Sequence, residues 1–399
     1  MVAKTTVLIL TQGRFGGTDF LLARLSNWLG SNRYDVHVVT PADTPKLKEY
    51  DIVFLPTSEM SRLWVLFAAS VKLKHICVWC MGYAAFRGAY VSIADEEYSQ
   101  YVSSKGLKGR VIGALKGRSK RSLAEFLKTE SIVFTDEVGA FADLGELTVH
   151  NNIEDIICPI VIDKSPVAHF EYSAPTSALR LGWVGRIDMD FKFYALERVI
   201  LDIRSLRDGA LKRYSRIIFY IVGNGDAIEA LKELTFSDLS IEYHLISSID
   251  KDELSEFVRD NIDLMFAMGT SSLESAKNKI PTVVVPPRAR RDDAQVPPYR
   301  WVSDSKGYSL GELSYAGVKP VQNSNSINGL IEQFIEGAVD ISQAAYEYSK
   351  LFDAEPVFKK ITNVACKSAP SHRVYLKSFE LFILNKFKVI IKALLRRSL

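Results

Sequence analysis

Short apolar runs alternate with amphipathic segments along both halves of the 399-residue chain. The segment after the first run, for example, repeats leucines at helical spacing at Leu21, Leu22, Leu25 and Leu29. Apolar runs, which predict strands, occupy residues 6–10, 35–40, 51–55, 75–80, 131–135, 179–184, 217–222, 241–246, 262–267 and 282–285. Because helices separate these uninterrupted strands, the pattern predicts the α/β class, with two tandem doubly wound, Rossmann-like domains whose parallel sheets are covered on both faces.

One segment without periodicity interrupts this alternation. Residues 163–178, DKSPVAHFEYSAPTSA, are rich in proline, serine and alanine, which is typical of a linker. We therefore predict an N-terminal domain over residues 1–163, a linker over 164–178 and a C-terminal domain over 179–340. Ligands are expected at the carboxyl ends of the strands in both sheets.

The remaining residues, 341–399, end in a basic amphipathic segment. From Val374 onward, apolar residues recur at steps of three and four, which predicts a helix. Its predicted apolar face consists of Leu376, Phe379, Ile383, Phe387, Ile390 and Leu394. Lysines and arginines interrupt the segment and Glu380 is its single acid, so we do not expect it to span a bilayer. Two interpretations stay open: the helix packs on a domain, or it lies on an anionic membrane surface.

Composition narrows the class of protein. Lysine plus arginine number 50 and aspartate plus glutamate 47, a net charge of +3, which argues against a dedicated nucleic-acid binder. The first apolar run is too short for the core of a signal peptide and there are only four cysteines, so we expect a cytoplasmic protein. Cys77 and Cys80 form a C-x-x-C inside a predicted strand, which favours two buried thiols over a zinc or redox site.

Two glycine-rich turns are candidates for phosphate binding. The stretch GRFGGTD, with Gly16 and Gly17, joins the first strand to the first helix, where backbone N–H groups can face a phosphate. It lacks the G-x-G-x-x-G pattern of dinucleotide sites, and a plain turn is the alternative. The stretch IVGNGD places Gly223 and Gly225 at another strand end, where a tight turn and a ligand contact are equally good explanations.

The segment VGRIDMDFK combines two cations with two acids after the first strand of the second domain. Arg186 and Lys192 suit a diphosphate, because arginine offers a planar fork and lysine a mobile point charge. Asp188 and Asp190 form a D-x-D, but the sequence supplies no further ligands nearby, so we predict no metal site.

The stretch MGTSSLES follows another strand and has two interpretations. Ser271 and Glu274 fit an S-x-x-E capping box, in which each side chain accepts from a backbone N–H of the other residue. Alternatively, phosphate or sugar oxygens lie against Gly269, Thr270 and Ser271, and Glu274 accepts ribose hydroxyls. The residues alone leave both interpretations open.

A basic run without any acid lies in the first domain. Its cations are Lys105, Lys108, Arg110, Lys116, Arg118, Lys120 and Arg121. Such runs are typical of a solvated flexible loop, and a binding surface for an anionic partner is the alternative.

Four segments, in this order, make the second domain resemble the donor-binding domain of GT-B glycosyltransferases, particularly the retaining family 4 group. They are WVGRID…FK, YIVGNGD, ISSIDKDELSEFV and MGTSSLESAKNKIPTVVV, within residues 179–285, and the first domain resembles the family more loosely. The resemblance implies two domains that face a cleft, with a nucleotide sugar on the second and the acceptor on the first. It also implies that the chain crosses back over residues 341–364, so that residues 341–399 comprise a crossover helix and a tail.

The resemblance also implies roles for individual residues. Arg186 and Lys192 would be the catalytic cations on the donor diphosphate, Glu274 would bind the ribose, and Gly16 and Gly17 would lie against the donor phosphates. The implied reaction is transfer from a UDP or GDP sugar, with retention and without a metal or other cofactor. The implied acceptor is a glycan or a polyprenyl-diphosphate-linked sugar of cell-surface polysaccharide synthesis. The basic run and the tail would then lie near the inner face of the plasma membrane.

The sequence departs from the family pattern in three places. Phe266 stands where the family often has the first of two glutamates, the spacing from Arg186 to Lys192 is one residue longer than usual, and no histidine follows the fourth strand. Alternatives with the same fold are a sugar-nucleotide epimerase, a polyol-phosphate transferase or a non-catalytic partner subunit. A two-domain solute-binding protein would need an export signal, which we do not find at the amino terminus.

Overall fold

A computed structural model describes residues 4–13, 17–82, 85–90, 107–145, 153–163, 170–189, 191–236, 240–288, 299–311 and 325–397. The chain divides into two compact units. The first comprises residues 1–161 and 354–399, and the second comprises residues 162–353.

The first unit contains a five-stranded parallel sheet. Its strands are β1 (Thr6–Leu10), β2 (Asp35–Val39), β3 (Glu49–Pro56), β4 (Lys72–Cys80) and β5 (Ile132–Phe134), in the order β2-β1-β3-β4-β5. Its helices are α1 (Gly17–Ser31), α2 (Arg62–Ala68), α3 (Ala85–Tyr90), α4 (Leu107–Lys128) and α5 (Glu137–Leu144), joined by two helices from the end of the chain. The predicted apolar face of α1 is buried against the sheet.

The second unit contains a six-stranded sheet that is parallel except for one short edge strand. Its strands are β6 (Ala178–Val184), β7 (Arg216–Val222), β8 (Glu242–Ile246), β9 (Leu264–Ala267), β10 (Thr282–Val284) and β11 (Arg300–Trp301), in the order β11-β10-β9-β6-β7-β8. Its helices are α6 (Phe191–Ser205), α7 (Ile228–Phe236), α8 (Lys251–Asn261), α9 (Thr270–Ala276) and α10 (Ile327–Ser349). Two parallel sheets with helices, one in each unit, confirm the predicted fold class.

The chain returns to the first unit within the predicted crossover, residues 341–364, but after its first residue. Helix α10 continues to Ser349, with a break in helical geometry only at Gly337, and its apolar face packs into the core of the second unit. Helix α11 (Ala354–Lys367) follows, and it buries Val357, Phe358 and Ile361 in the core of the first unit. The return therefore falls at residues 350–353, between the two helices.

The tail is helix α12 (His372–Arg397), and its first half packs on the first unit. The ring of Phe379 lies 4.5 Å from that of Trp64, and the ring of Tyr375 lies 4.7 Å from that of Phe67. The predicted apolar face is wrong at two positions, because Leu376 is 43% exposed and Ile383 is 37% exposed. Val374, Ser378 and Leu381 are buried instead, since the helix turns these positions towards α2, α3 and α4.

Two further sequence features have a structural outcome. Cys77 and Cys80 are free thiols buried in β4, and burial raises the pKa of both, as expected for structural cysteines. Among the helices of the described residues, none has both the length and the apolar character to cross a bilayer.

Candidate functional site

The strand order of the second sheet reverses direction at β6. The chain runs from β6 outward through β7 and β8, and then returns to the other side of β6 to form β9 and β10. In open α/β sheets, ligands bind beyond the carboxyl ends of the strands at such a reversal. The described residues that follow β6 and β9 are 185–189 with 191–192, and 268–274, and we call these two segments the switch-point edge.

The segment after β6 carries both predicted catalytic cations. The side chain of Arg186 is 61% exposed and forms an ion pair with Asp188, while Lys192 lies half-buried in the first turn of α6. Asp190 lies outside the described residues. Among the residues that are described, no group of three or more histidine, cysteine, aspartate or glutamate side chains is placed to hold a metal ion.

Gly223 and Gly225 hold the loop after β7 against this segment. The N–H of Gly185 donates to the carbonyl of Val222 at 3.0 Å, and the N–H of Ile187 donates to the carbonyl of Asn224 at 3.0 Å. A Cβ atom on Gly223 would lie 1.9 Å from the oxygen of Gly185, and one on Gly225 would lie 2.3 Å from that of Ile187. The structure therefore gives both glycines a packing role, and direct donor contact stays a prediction.

The segment after β9 turns on Gly269, whose φ is +61°. The N–H of Gly269 donates to the carbonyl of Leu310 at 2.8 Å, and a Cβ atom on it would meet no described atom within 4 Å. Helix α9 begins directly afterwards, so Thr270 and Ser271 lie in its first turn with their backbone at the carboxyl end of the sheet. This arrangement leaves open space beside a turn that is rich in hydrogen-bond donors.

Of the two interpretations of Ser271 and Glu274, the capping box is wrong. The cap residue is Gly269, which has no side chain, and Ser271 is already inside the helix because the left-handed turn at Gly269 starts the helix earlier. The side chain of Glu274 forms an ion pair with Lys277, one turn further on. Glu274 is partly exposed at the switch-point edge, and a capping role no longer explains it.

A buried arginine, Arg300, positions the switch-point edge, and no sequence motif marks it. The Nε of Arg300 donates to the hydroxyl of Ser305 at 2.9 Å, and its Nη2 donates to the carbonyl of Ser309 at 3.0 Å. Leu310, the next residue, accepts the hydrogen bond of Gly269. Arg300 is 26 residues or more from every residue of the switch-point edge, and only the sheet brings β11 close to β9 through β10.

The remaining predicted site residues belong to the first unit. Gly17 begins α1, and Gly16 lies outside the described residues. The basic run is helix α4 rather than a loop, because Ile112, Leu115 and Leu123 give it an apolar face that is buried. Arg110, Arg118, Lys120 and Arg121 are exposed on it, Lys116 is half-buried, Lys108 falls in its first turn, and Lys105 is outside the described residues.

No protein-family model matches the chain, and no curated protein matches it significantly. Solved structures do match it over most of its length. The lipopolysaccharide outer core galactosyltransferase WaaB, in its apo form, is 11% identical over 90% of this chain and 99% of that one, with a TM-score of 0.49. An α-glucosyltransferase in complex with UDP is 12% identical over 91% and 100%, with a TM-score of 0.48. WaaG, a glycosyltransferase involved in lipopolysaccharide biosynthesis, is 14% identical over 90% and 99%, with a TM-score of 0.46. Similarity at this level does not support a functional conclusion. The function is argued below from the residues of the switch-point edge.

Proposed function

We propose that the chain is a glycosyltransferase that binds a nucleoside diphosphate sugar at the switch-point edge and transfers the sugar to a hydroxyl group. The observation that supports this proposal is the pairing of two segments beside the reversal in strand order. One segment carries Arg186 and Lys192, and the other carries Gly269 and Glu274. Cations for a diphosphate and a carboxylate for a ribose are thus offered at neighbouring strand ends.

Donor binding uses different chemistry on the two segments. Arg186 offers a planar fork to the diphosphate, exchanging its ion pair with Asp188 for charge-assisted bonds to phosphate oxygens. Lys192 adds a point charge from the first turn of α6. On the other segment, the open space beside Gly269 admits the donor, and Glu274 accepts hydrogen bonds from the ribose hydroxyls.

The transfer step breaks the bond between the anomeric carbon and the β-phosphate oxygen, and forms a bond from that carbon to the acceptor oxygen. Negative charge grows on the leaving diphosphate, so Arg186 and Lys192 stabilise the transition state more than the bound donor. The acceptor proton moves to the departing phosphate. This scheme needs no protein nucleophile and accounts for retention, and the two cations take the place of a divalent metal.

The acceptor is proposed to be a glycan or a polyprenyl-diphosphate-linked sugar of a cell-surface polysaccharide. The exposed cations of α4, among them Arg110, Arg118, Lys120 and Arg121, support an anionic acceptor or membrane surface. A cytoplasmic protein that associates with the inner face of the plasma membrane fits this chemistry.

The proposal is tested by a screen of UDP and GDP sugars against the purified chain. A ligand present at 100 times its Kd should stabilise the protein by about 2.7 kcal/mol, which a thermal-shift assay detects. The donor found in this way should support transfer to an acceptor in the presence of EDTA. If no nucleotide sugar shifts the unfolding temperature, the proposed donor site is wrong. Release of UDP with an epimerised sugar and no acceptor requirement would identify an epimerase instead.

A further inference from the structure

A large groove runs beside β5, the last strand of the first sheet. It is lined by residues of α4, α5 and α11, by β5 and by residues 153–156, and its volume is about 1320 Å³. We call it the β5 groove. Pockets for small ligands typically have about 300–1,000 Å³, so the β5 groove has room for a longer molecule.

The β5 groove has an apolar floor. The apolar side chains of its lining, which we call the floor, are Leu127, Ile132, Phe141, Leu144, Ile156 and Val364, while Asp155, Lys359, Lys360 and Asn363 also line the groove. Phe141 is 45% exposed, although burying an aromatic ring of this size is favourable. The floor thus offers apolar surface to a ligand that needs few hydrogen bonds along its length.

A second pocket, of about 410 Å³, adjoins the β5 groove, and Lys128, Glu130 and Lys367 line both. We call it the cationic pocket, because Lys128, Lys367 and Arg373 outnumber its two acids, Glu125 and Glu130. His372 and Arg373 add to its basic wall, and Arg373 pairs with Glu125 at 3.3 Å. Neither Lys128 nor Lys367 forms an ion pair with a residue that the structure describes. Two lysines with exposed side chains therefore stand where the apolar floor ends.

The same pocket contains the start of α12, a helix of 26 residues. The first N–H groups of a helix have no intrahelical acceptor and attract anions, and no acid stands in the first turn of α12. The hydroxyl of Ser371, the residue before the helix, is buried without a hydrogen-bond partner among the described residues. A phosphate in the pocket would accept from the first N–H groups of the helix and face Lys128 and Lys367.

We propose that the β5 groove binds one anionic amphiphile, with a phosphate head in the cationic pocket and a hydrocarbon chain along the floor. Charge complementarity selects the head, and the apolar floor selects the chain. A peptide fits less well, because each of its residues would bring polar backbone groups onto the apolar floor. The site lies in the first unit and uses none of the residues of the switch-point edge, so it does not depend on the proposed transferase activity.

Isothermal titration of the full chain with dodecyl phosphate, below its critical micelle concentration, tests the proposal. We expect saturable binding of one molecule per chain, and binding at least tenfold weaker for inorganic phosphate, which lacks the chain, and for dodecyl maltoside, which lacks the charge. Lys128→Gln and Lys367→Gln should each weaken binding about fivefold, as expected for one basic residue near an anionic head. Lys72→Gln, which alters another exposed lysine of the same unit, is the matched control and should leave binding unchanged.

The floor is tested separately by Phe141→Gln, which should weaken dodecyl phosphate binding several-fold without changing the weak binding of inorganic phosphate. Phe236→Gln removes an aromatic side chain that is 90% exposed in the other unit and serves as its control. Thermal unfolding verifies that each variant is folded. The proposal is overturned if dodecyl phosphate does not bind saturably, if the two lysine variants bind it like the wild type, or if an acidic amphipathic peptide displaces it at lower concentration.

Discussion

Two glycine-bearing loops leave the same edge of the second sheet, and their glycines have different structural causes. After β7, a Cβ atom on Gly223 or Gly225 would lie 1.9 or 2.3 Å from a backbone oxygen of the loop after β6. After β9, a Cβ atom on Gly269 would meet no described atom within 4 Å, and glycine is favoured there by its φ of +61°. The first loop needs glycine to pack against protein, whereas the second needs it to turn.

Gly223 and Gly225 therefore support the candidate site by packing, whereas Gly269 faces it. A turn such as IVGNGD resembles a phosphate-binding loop in sequence, yet hydrogen bonds to residues 185–187 already occupy its backbone. Open space exists beside Gly269 instead. We therefore expect Gly223 and Gly225 to act through stability, and Gly269 and Glu274 to act through donor binding.

A large loss of stability is expected from Gly225→Ala, where the backbone clash acts without a left-handed φ. The added methyl group would press on the carbonyl of Ile187, and a backbone atom cannot move aside cheaply, so we expect a loss of about 3 kcal/mol. Gly269→Ala is the matched control, with an expected loss of about 1 kcal/mol from its left-handed φ alone. Urea unfolding followed by circular dichroism compares the two. Equal losses would remove the distinction between the loops.

A somewhat smaller effect is expected when a proposed catalytic cation is removed from the segment after β6, which the loop after β7 supports. Arg186→Ala or Lys192→Ala should lower kcat by about 100-fold, because each stabilises charge on the leaving diphosphate. Steady-state kinetics with the identified donor measure the change, and Lys232→Ala, on the exposed surface of α7, is the control. Wild-type rates in both variants would show that the segment after β6 has no catalytic role.

The smallest expected effect concerns Glu274, which lies in the segment after β9, beside the open space at Gly269. Glu274→Gln keeps the size of the side chain and its ability to accept a hydrogen bond, but loses the charge that strengthens bonds to ribose hydroxyls. We expect the donor KM to rise about tenfold, in line with the 1.5–3 kcal/mol of a charged hydrogen bond, with little change in unfolding temperature. Glu253→Gln, on the exposed side of α8, should change neither. A donor KM equal to that of the wild type would show that Glu274 does not bind the donor and would favour a structural role, such as its ion pair with Lys277.

The strands of the fold could be predicted because local apolar pattern and burial agree there. All ten predicted strands are present, with ends displaced by at most three residues, as at Lys72 in β4. The eleventh strand, Arg300–Trp301, was missed because two residues show no periodicity and the strand depends on its pairing with β10. Helix α4 was missed because its many cations obscured an apolar face at Ile112, Leu115 and Leu123.

The candidate site was less predictable, since partners distant in sequence decide the roles of its residues. Ser271 fits a capping box by spacing alone, but the φ of Gly269 places the helix start two residues earlier. Nothing near Arg300 in the sequence indicates that it supports the turn at Gly269 through Ser309 and Leu310. Likewise, the buried side of α12 was set by the helices it meets, so that Ser378 is buried while Leu376 is exposed.

The order of synthesis imposes a delay on the first unit. Its core includes Val357, Phe358, Ile361 and Ala365 of α11, which follow the 192 residues of the second unit along the chain. At about 5–20 residues per second, a ribosome would take about 10–40 seconds to make that intervening stretch. During this time the surface that α11 covers is exposed on the nascent first unit, whereas the second unit can form without waiting for later residues. The second unit is thus expected to mature first, and the first unit is the part for which a chaperone would be needed.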